Sequence, residues 1–202
     1  MRQFRGGNNL PSYLEFEVSL RGIKPRLWRR FQIADDATFG DLHRAIRDSF
    51  GWHGGHLWEF MNNSHEAFAA FAHEFQDVGF DEPPPDAEEV KLLGYFPRAR
   101  SCVYYYDFGD SWMHSVRLRD RVTSSEQFHR RLLAGRRACP PEDCGGVGGY
   151  YRFVSIVETG VDPWEEDVTE LLEWLGEWDP SEFDLKLQKR IFDTVEAPED
   201  LF

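Results

Sequence analysis

Residues 13–20 constrain this chain more than any other stretch. Leu14, Phe16, Val18 and Leu20 alternate with Tyr13, Glu15, Glu17 and Ser19, so apolar side chains recur with a period of two. Only an extended strand puts such residues on one face. A second run repeats the pattern: Trp112, His114, Val116 and Leu118 share one face, and Met113, Ser115, Arg117 and Arg119 share the other. Two half-buried strands of this kind require an antiparallel or mixed sheet with one apolar face and a second layer to cover it.

The sequence also offers the cover. Arg21-Gly22-Ile23-Lys24-Pro25 reads as a turn, and residues 27–33 as the returning strand. Thr38 then stands as an N-cap, with Asp41 in the first helical turn, where negative charge is favoured. Phe39, Leu42, Ile46 and Phe50 keep helical spacing, and Gly51 closes the helix. A further strand is expected over residues 56–62. Hairpin, helix, strand is a β-grasp-like start, by element order. Phe68, Phe71 and Phe75 predict a helix over residues 64–75, and Pro83, Pro84 and Pro85 predict a loop. Residues 101–107 read as a strand and Asp107-Phe108-Gly109-Asp110 as a turn. Residues 124–134 read as a helix capped by Ser124 with Gln127.

Beyond residue 138 only helical patterns occur. Tyr150, Phe153, Val154 and Val157 form one stripe. Asp162-Pro163-Trp164-Glu165 reads as a helix start with proline at the first helical position. Val168, Leu171, Leu172 and Leu175 continue it, and Leu185, Gln188, Ile191, Phe192 and Val195 mark a last helix. Charge changes at the same place. Residues 1–139 hold 19 basic and 19 acidic side chains, whereas residues 140–202 hold 4 and 17 and carry the whole net charge of -13. The expected architecture is therefore α+β: one unit over residues 1–202, with a sheet-plus-helices region at 10–137 and an acidic helical lobe at 138–202 packed on the sheet.

The acidic lobe repels phosphate backbones, so a protein partner is expected rather than nucleic acid. Arg21, Lys24, Arg26, Arg29 and Arg30 fall within ten residues and could form a local basic patch for nucleic acid, although the solvated rim of a hairpin explains the same residues. No apolar run approaches the ~18 residues of a spanning helix, and residues 1–7 lack a signal-peptide core, so no membrane association and a cytoplasmic location are expected. Three cysteines, an odd number, argue against a disulfide framework.

Two groups of residues carry possible chemistry. Cys139 and Cys144, with four residues between them, have the spacing of a zinc ligand pair, half a site whose missing ligands could come from His53, His56 or His114. The plain alternative is a Pro- and Gly-shaped linker holding two small buried thiols. Asp107, Asp110 and His114 form Asp-x-x-Asp-x-x-x-His, the residue types of a metal site or an acid–base pair, although a tight turn explains the same residues. On the structural reading, Asp107 or Asp110 is the natural partner of the His114 ring. His56 and Glu142 are further binding candidates. Asp107-Phe108-Gly109 lacks the companion motifs of a kinase, and residues 145–151 do not complete a dinucleotide-binding glycine fingerprint.

Four segments carry a resemblance. They are residues 23–30 (Ile-Lys-Pro-Arg-Leu-Trp-Arg-Arg), residues 38–43 leading to 50–52 and 56–60, residues 106–114 (Tyr-Asp-Phe-Gly-Asp-Ser-Trp-Met-His), and residues 138–146 (Ala-Cys-Pro-Pro-Glu-Asp-Cys-Gly-Gly) with Tyr150. In order and spacing the chain resembles the plasmid pRiA4b ORF-3-like family, whose members include TnpR-like passenger proteins of insertion elements. The resemblance implies association with mobile elements. Independently of the resemblance, the lack of a complete catalytic constellation and the strong charge asymmetry lead to the expectation of a binding or interaction module. The alternative is a metal-dependent, hydrolytic enzyme built on the Asp-x-x-Asp-x-x-x-His turn and the Cys-x4-Cys loop, with zinc as the cofactor.

Overall fold

The computed structural model describes residues 10–71, 84–165 and 167–194. The alternating run forms β1 (Ser12–Leu20), which turns back through Gly22 at φ 80° into β2 (Trp28–Ala34). Helix α1 (Phe39–Phe50) follows. Thr38 and Asp41 close a reciprocal capping box, and Gly51, at φ 82°, ends the helix in the left-handed region. Then come β3 (Trp58–Met61), β4 (Ala67–Ala70), a short α2 (Leu92–Tyr95), β5 (Ser101–Tyr106), β6 (Trp112–Thr123) and β7 (Arg130–Arg136). The chain continues in α3 (Gly146–Thr159), α4 (Thr169–Leu175) and α5 (Leu185–Asp193).

All seven strands form one antiparallel sheet, ordered β4-β3-β5-β6-β1-β2-β7. The fold class is α+β. The β-grasp analogy stops at element order: β3 pairs with β4 and β5, and two strands separate it from β1. One face of the sheet is covered. Leu14, Phe16 and Val18 meet Phe31, Ile33, Tyr104, Val116 and the α1 side chains Phe39, Leu42 and Ile46 in the core. The opposite face carries charged side chains, where Arg26 reaches Glu17 and Arg30 stands 3.8 Å from Glu15.

Two segments expected as helices are strands. Residues 130–136 form β7, because β2 presents an open edge and residues 28–33 of β2 pair with it, placing Arg130 and Leu132 on the covered face. Among the described residues, Ser124 Oγ accepts the local Glu126 N–H. Residues 67–70 pair with β3 as β4, and residues 72–75 of the expected helix lie outside the described residues, as do Pro83, Val195 and residues 1–9. The helix expected to start at Asp162 is instead a turn. The Asp162 carboxylate accepts the Trp164 N–H and holds Arg152, Glu165 takes φ 62°, and helix resumes only at Thr169. The buried stripe of α3 is Tyr150, Phe153 and Ile156, while Val157 faces solvent. Helix α5 lies against β7 and α1: buried Phe192 meets Phe31, Gln188 donates to the Asp48 carbonyl, and the Leu132 N–H donates to Asp193.

Candidate functional site

Three loops meet at one end of the sheet. After α1 the chain places Trp52, whose ring stacks on Tyr106 of β5 at 4.8 Å, and whose Nε1 donates to the Pro140 carbonyl. The Tyr106 hydroxyl donates to Glu142 at 2.6 Å, and the other Glu142 oxygen accepts the His53 N–H. From the β5–β6 turn, Asp110 accepts the Gly145 N–H at 3.1 Å. The resemblance-bearing segments of the α1–β3 connection, the β5–β6 hairpin and the 139–146 loop therefore converge in space, and Glu142 is the strap that joins all three.

His114 is fully buried in this junction. Its ring lies 5.0 Å from Phe50, 5.3 Å from Trp52 and 5.2 Å from Tyr104, and Nδ1 meets the Tyr104 carbonyl at 3.3 Å. Neither expected carboxylate is its partner. Asp107 spends Oδ1 on the Gly109 and Asp110 N–H groups, and Asp110 is turned to Gly145. The reason is register: His114 pairs with Tyr104 and points into the core, whereas both aspartates belong to the turn beyond the strand ends. Burial lowers the His114 pKa to about 3, and His43, stacked on Trp58 and bonded to the Tyr104 hydroxyl, is depressed for the same reason.

A stability consequence follows. In the unfolded chain His114 takes a proton near its ordinary 6.5, but in the fold it refuses one until about pH 3. The unfolded state therefore binds more protons through that window, and stability falls as pH falls from about 6.5 toward 3, by roughly 1.4 kcal/mol per pH unit for one such group. His43 adds a slope of the same sign. In urea melts between pH 7 and 5, His114→Phe should flatten the wild-type slope below about pH 6.5; an unchanged slope would show that the ring titrates alike in the folded and unfolded chain.

The cysteines have partners other than a metal. Cys139 Sγ accepts from the Arg29 guanidinium at 3.2 Å, and burial pushes its thiol up to about 11. Cys144 donates to the Gly146 carbonyl, and burial, with Asp110 and Asp107 adding to it, pushes it up to about 12. Without a metal ion beside them, both surroundings favour the thiol over the thiolate that a zinc ligand must become. All three cysteines are free. Among the described residues, the group that does gather at metal-ligating distance is His56, Asp107 and Asp143, not Cys139, Cys144 and His114.

Beside the junction lies an open cleft of about 750 Å³, bounded by Trp52, the 139–143 loop and the segments of α4 and α5. Its walls carry Trp174, Trp178 and Phe183, with Trp174 53% exposed. Its rim carries Glu142, Asp143, Glu177, Asp179, Glu182 and Asp184. The cation in the wall, Arg29, is buried and committed to backbone carbonyls. The basic cluster expected at positions 21–30 is accordingly dispersed: Arg29 points inward, Arg26 and Arg30 face Glu17 and Glu15, and Arg21 donates to Ser115. Trp174 and Trp178 were not singled out by sequence, Asp143 entered only as part of the 138–146 segment, and Arg29 as a member of the basic cluster. For Arg29 the signal was present, since it shares the strand face of Phe31 and Ile33.

No helix among the described residues is long and apolar enough to cross a membrane. A crystal structure of a protein of unknown function from Methanosarcina mazei Go1 superposes with a TM-score of 0.72 at 32% identity, covering 88% of this chain and 97% of that one. The uncharacterized protein y4hQ of Sinorhizobium fredii is 33% identical over 177 residues, 83% of each chain. The plasmid pRiA4b ORF-3-like family matches residues 12–187, across the whole sheet, the junction and most of the cleft, and the chain belongs to that family.

Proposed function

We propose that this protein is a cytoplasmic binding module, folded as one unit over residues 1–202, whose cleft takes a cationic segment of a partner protein. The observation that carries the reading is a cleft lining that sets six acidic residues beside an aromatic wall whose Trp174 is exposed. Aromatic faces attract Lys and Arg side chains by about 0.5–2 kcal/mol each, and rim carboxylates steer such a segment toward them. The same charge works against nucleic acid. The mobile-element association implied by the resemblance gives a setting for such a partner. A metal-dependent hydrolytic enzyme is the second reading, favoured by the His56, Asp107 and Asp143 group.

The test is a tryptophan-fluorescence titration of the full chain with an Arg/Lys-rich peptide and with an Asp/Glu-rich peptide of equal length. The cationic peptide should bind, and its affinity should fall as salt rises. Trp174→Ala should weaken it roughly 2- to 30-fold, which is the cation–π range expressed as a ratio. Equal binding of both peptides, or of neither, would overturn the reading.

A further inference from the structure

We infer that His56, Asp107 and Asp143 form a binding site for one divalent transition-metal ion. This rests on the junction's geometry and is independent of the cleft reading, although Asp143 also lines the cleft rim.

Each donor comes from a different loop. His56 follows Gly54 and Gly55, both in the left-handed region, and its ring meets Tyr106 edge-on. Asp107 closes β5, with its backbone N–H held by the Leu57 carbonyl. Asp143 projects from the 139–146 loop that Glu142 and Asp110 pin in place. His56 Nδ1 lies 3.7 Å from Asp107 Oδ2, and Nε2 lies 3.6 Å from Asp143 Oδ1. Both separations are too long for hydrogen bonds. They are close to a coordination edge: ligands about 2.0–2.2 Å from zinc stand about 3.3–3.6 Å apart around a tetrahedron. Only one ring nitrogen can ligate, and one ligand atom from each residue lies within 4.8 Å of the others. Asp143, 75% exposed at its side chain, can close the remaining gap.

A second observation points to a ligand. The Asp107 side chain is 10% exposed, and its Oδ1 already accepts two backbone N–H groups. Its Oδ2 accepts no hydrogen bond among the described residues and is turned to His56. That oxygen keeps some solvent access, so it is open to an incoming cation rather than sealed in the core. Two carboxylates and a neutral imidazole carry two negative charges, which a divalent ion balances. The mixed nitrogen and oxygen donors suit zinc and its neighbours better than calcium.

The experiment is calorimetric titration of the metal-stripped full chain with zinc chloride at pH 7.5, with melting temperature read in parallel. One equivalent should bind and raise the melting temperature. His56→Ala, Asp107→Asn and Asp143→Asn should each weaken binding at least tenfold. Asp107→Asn keeps the oxygen that accepts the turn N–H groups, and the exposed Asp143→Asn does not endanger the fold. The double variant Cys139→Ser/Cys144→Ser should bind zinc as the wild type does. Absence of stoichiometric zinc, which would leave a simple imidazole–carboxylate contact, overturns the inference. So does zinc that survives His56→Ala or is lost in the cysteine variant.

Discussion

Gly149→Ala should destabilise the protein by about 3 kcal/mol or more, at or beyond the upper end of core overpacking. A methyl group there would fall 1.6 Å from the Cys144 carbonyl oxygen, a bonded distance to a backbone atom that no rotamer change relieves. Either α3 moves off the 139–146 loop or the loop leaves the β5–β6 turn, where Asp110 holds Gly145 and a Cβ on Gly146 would meet the Asp110 carbonyl at 2.4 Å. For a chain of this length the loss corresponds to a melting-temperature drop of roughly 6–12 °C. The neighbouring residue is the control. Gly148 lies in the same helix, is exposed, and has nothing within 4 Å of its would-be Cβ. Gly148→Ala should gain about 0.5–1 kcal/mol by restricting the unfolded chain and improving helix propensity. Opposite signs at adjacent glycines, read by thermal melting, test whether α3 and the loop are in contact as described. Two losses of equal size would refute that contact.

The fold was legible where local pattern and long-range demand agreed. β1 and β6 announced themselves by alternation, and α1 by Thr38, Asp41 and Gly51, because these signals depend on neighbours a few residues away. β7 and β4 were misread for the opposite reason. The spacing of apolar residues in 124–134 and 64–75 suits a helix locally, but the open edges of β2 and β3 demand partners, and sheet pairing prevails over weak helical preference. Pro163 misled in a similar way. The Asp162 carboxylate binds Arg152 and caps a turn, so the first-turn signals served a loop.

The site was half legible. Its segments could be named, since turn residues beside aromatics are not plain core. Its pairings could not, because they join loops far apart in sequence. Asp107 was expected to serve His114 and faces His56 instead. The cysteines were weighed as zinc ligands against small buried thiols, and it is Glu142 and Asp143, between them, that make the loop's contacts to Tyr106 and His56. Thiols pushed toward the neutral form pack, whereas the exposed Asp143 carboxylate on the same loop remains available to a ligand.

Arg29→Met should cost about 3–5 kcal/mol, because several buried carbonyls lose their donor together and each unsatisfied one costs about 1–3 kcal/mol. Arg29 is 2% exposed, and no carboxylate lies within ion-pair distance among the described residues. Its guanidinium is solvated by backbone instead: it donates to the carbonyls of Ser49, Trp28, Arg136 and Arg137 and to Cys139 Sγ, and it lies 4.0 Å over the Phe183 ring. Burial lowers its pKa from 12.5, but a guanidinium so placed remains charged. These contacts tie β2 to the end of α1, to the end of β7, to the cysteine loop and to the cleft wall at once. Methionine fills most of the volume and removes every donor, leaving inward-facing carbonyls unpaired. Arg29→Lys keeps the charge but offers three donors on a point cation in place of a planar fork, so it should recover only part of the loss. Urea denaturation of the three proteins gives the ranking wild type, lysine, methionine. A methionine variant within 1 kcal/mol of wild type would mean that these carbonyls find other donors or water and that Arg29 does not hold the junction together. A lysine variant no better than methionine would mean that fork geometry, rather than charge, is what the buried carbonyls require.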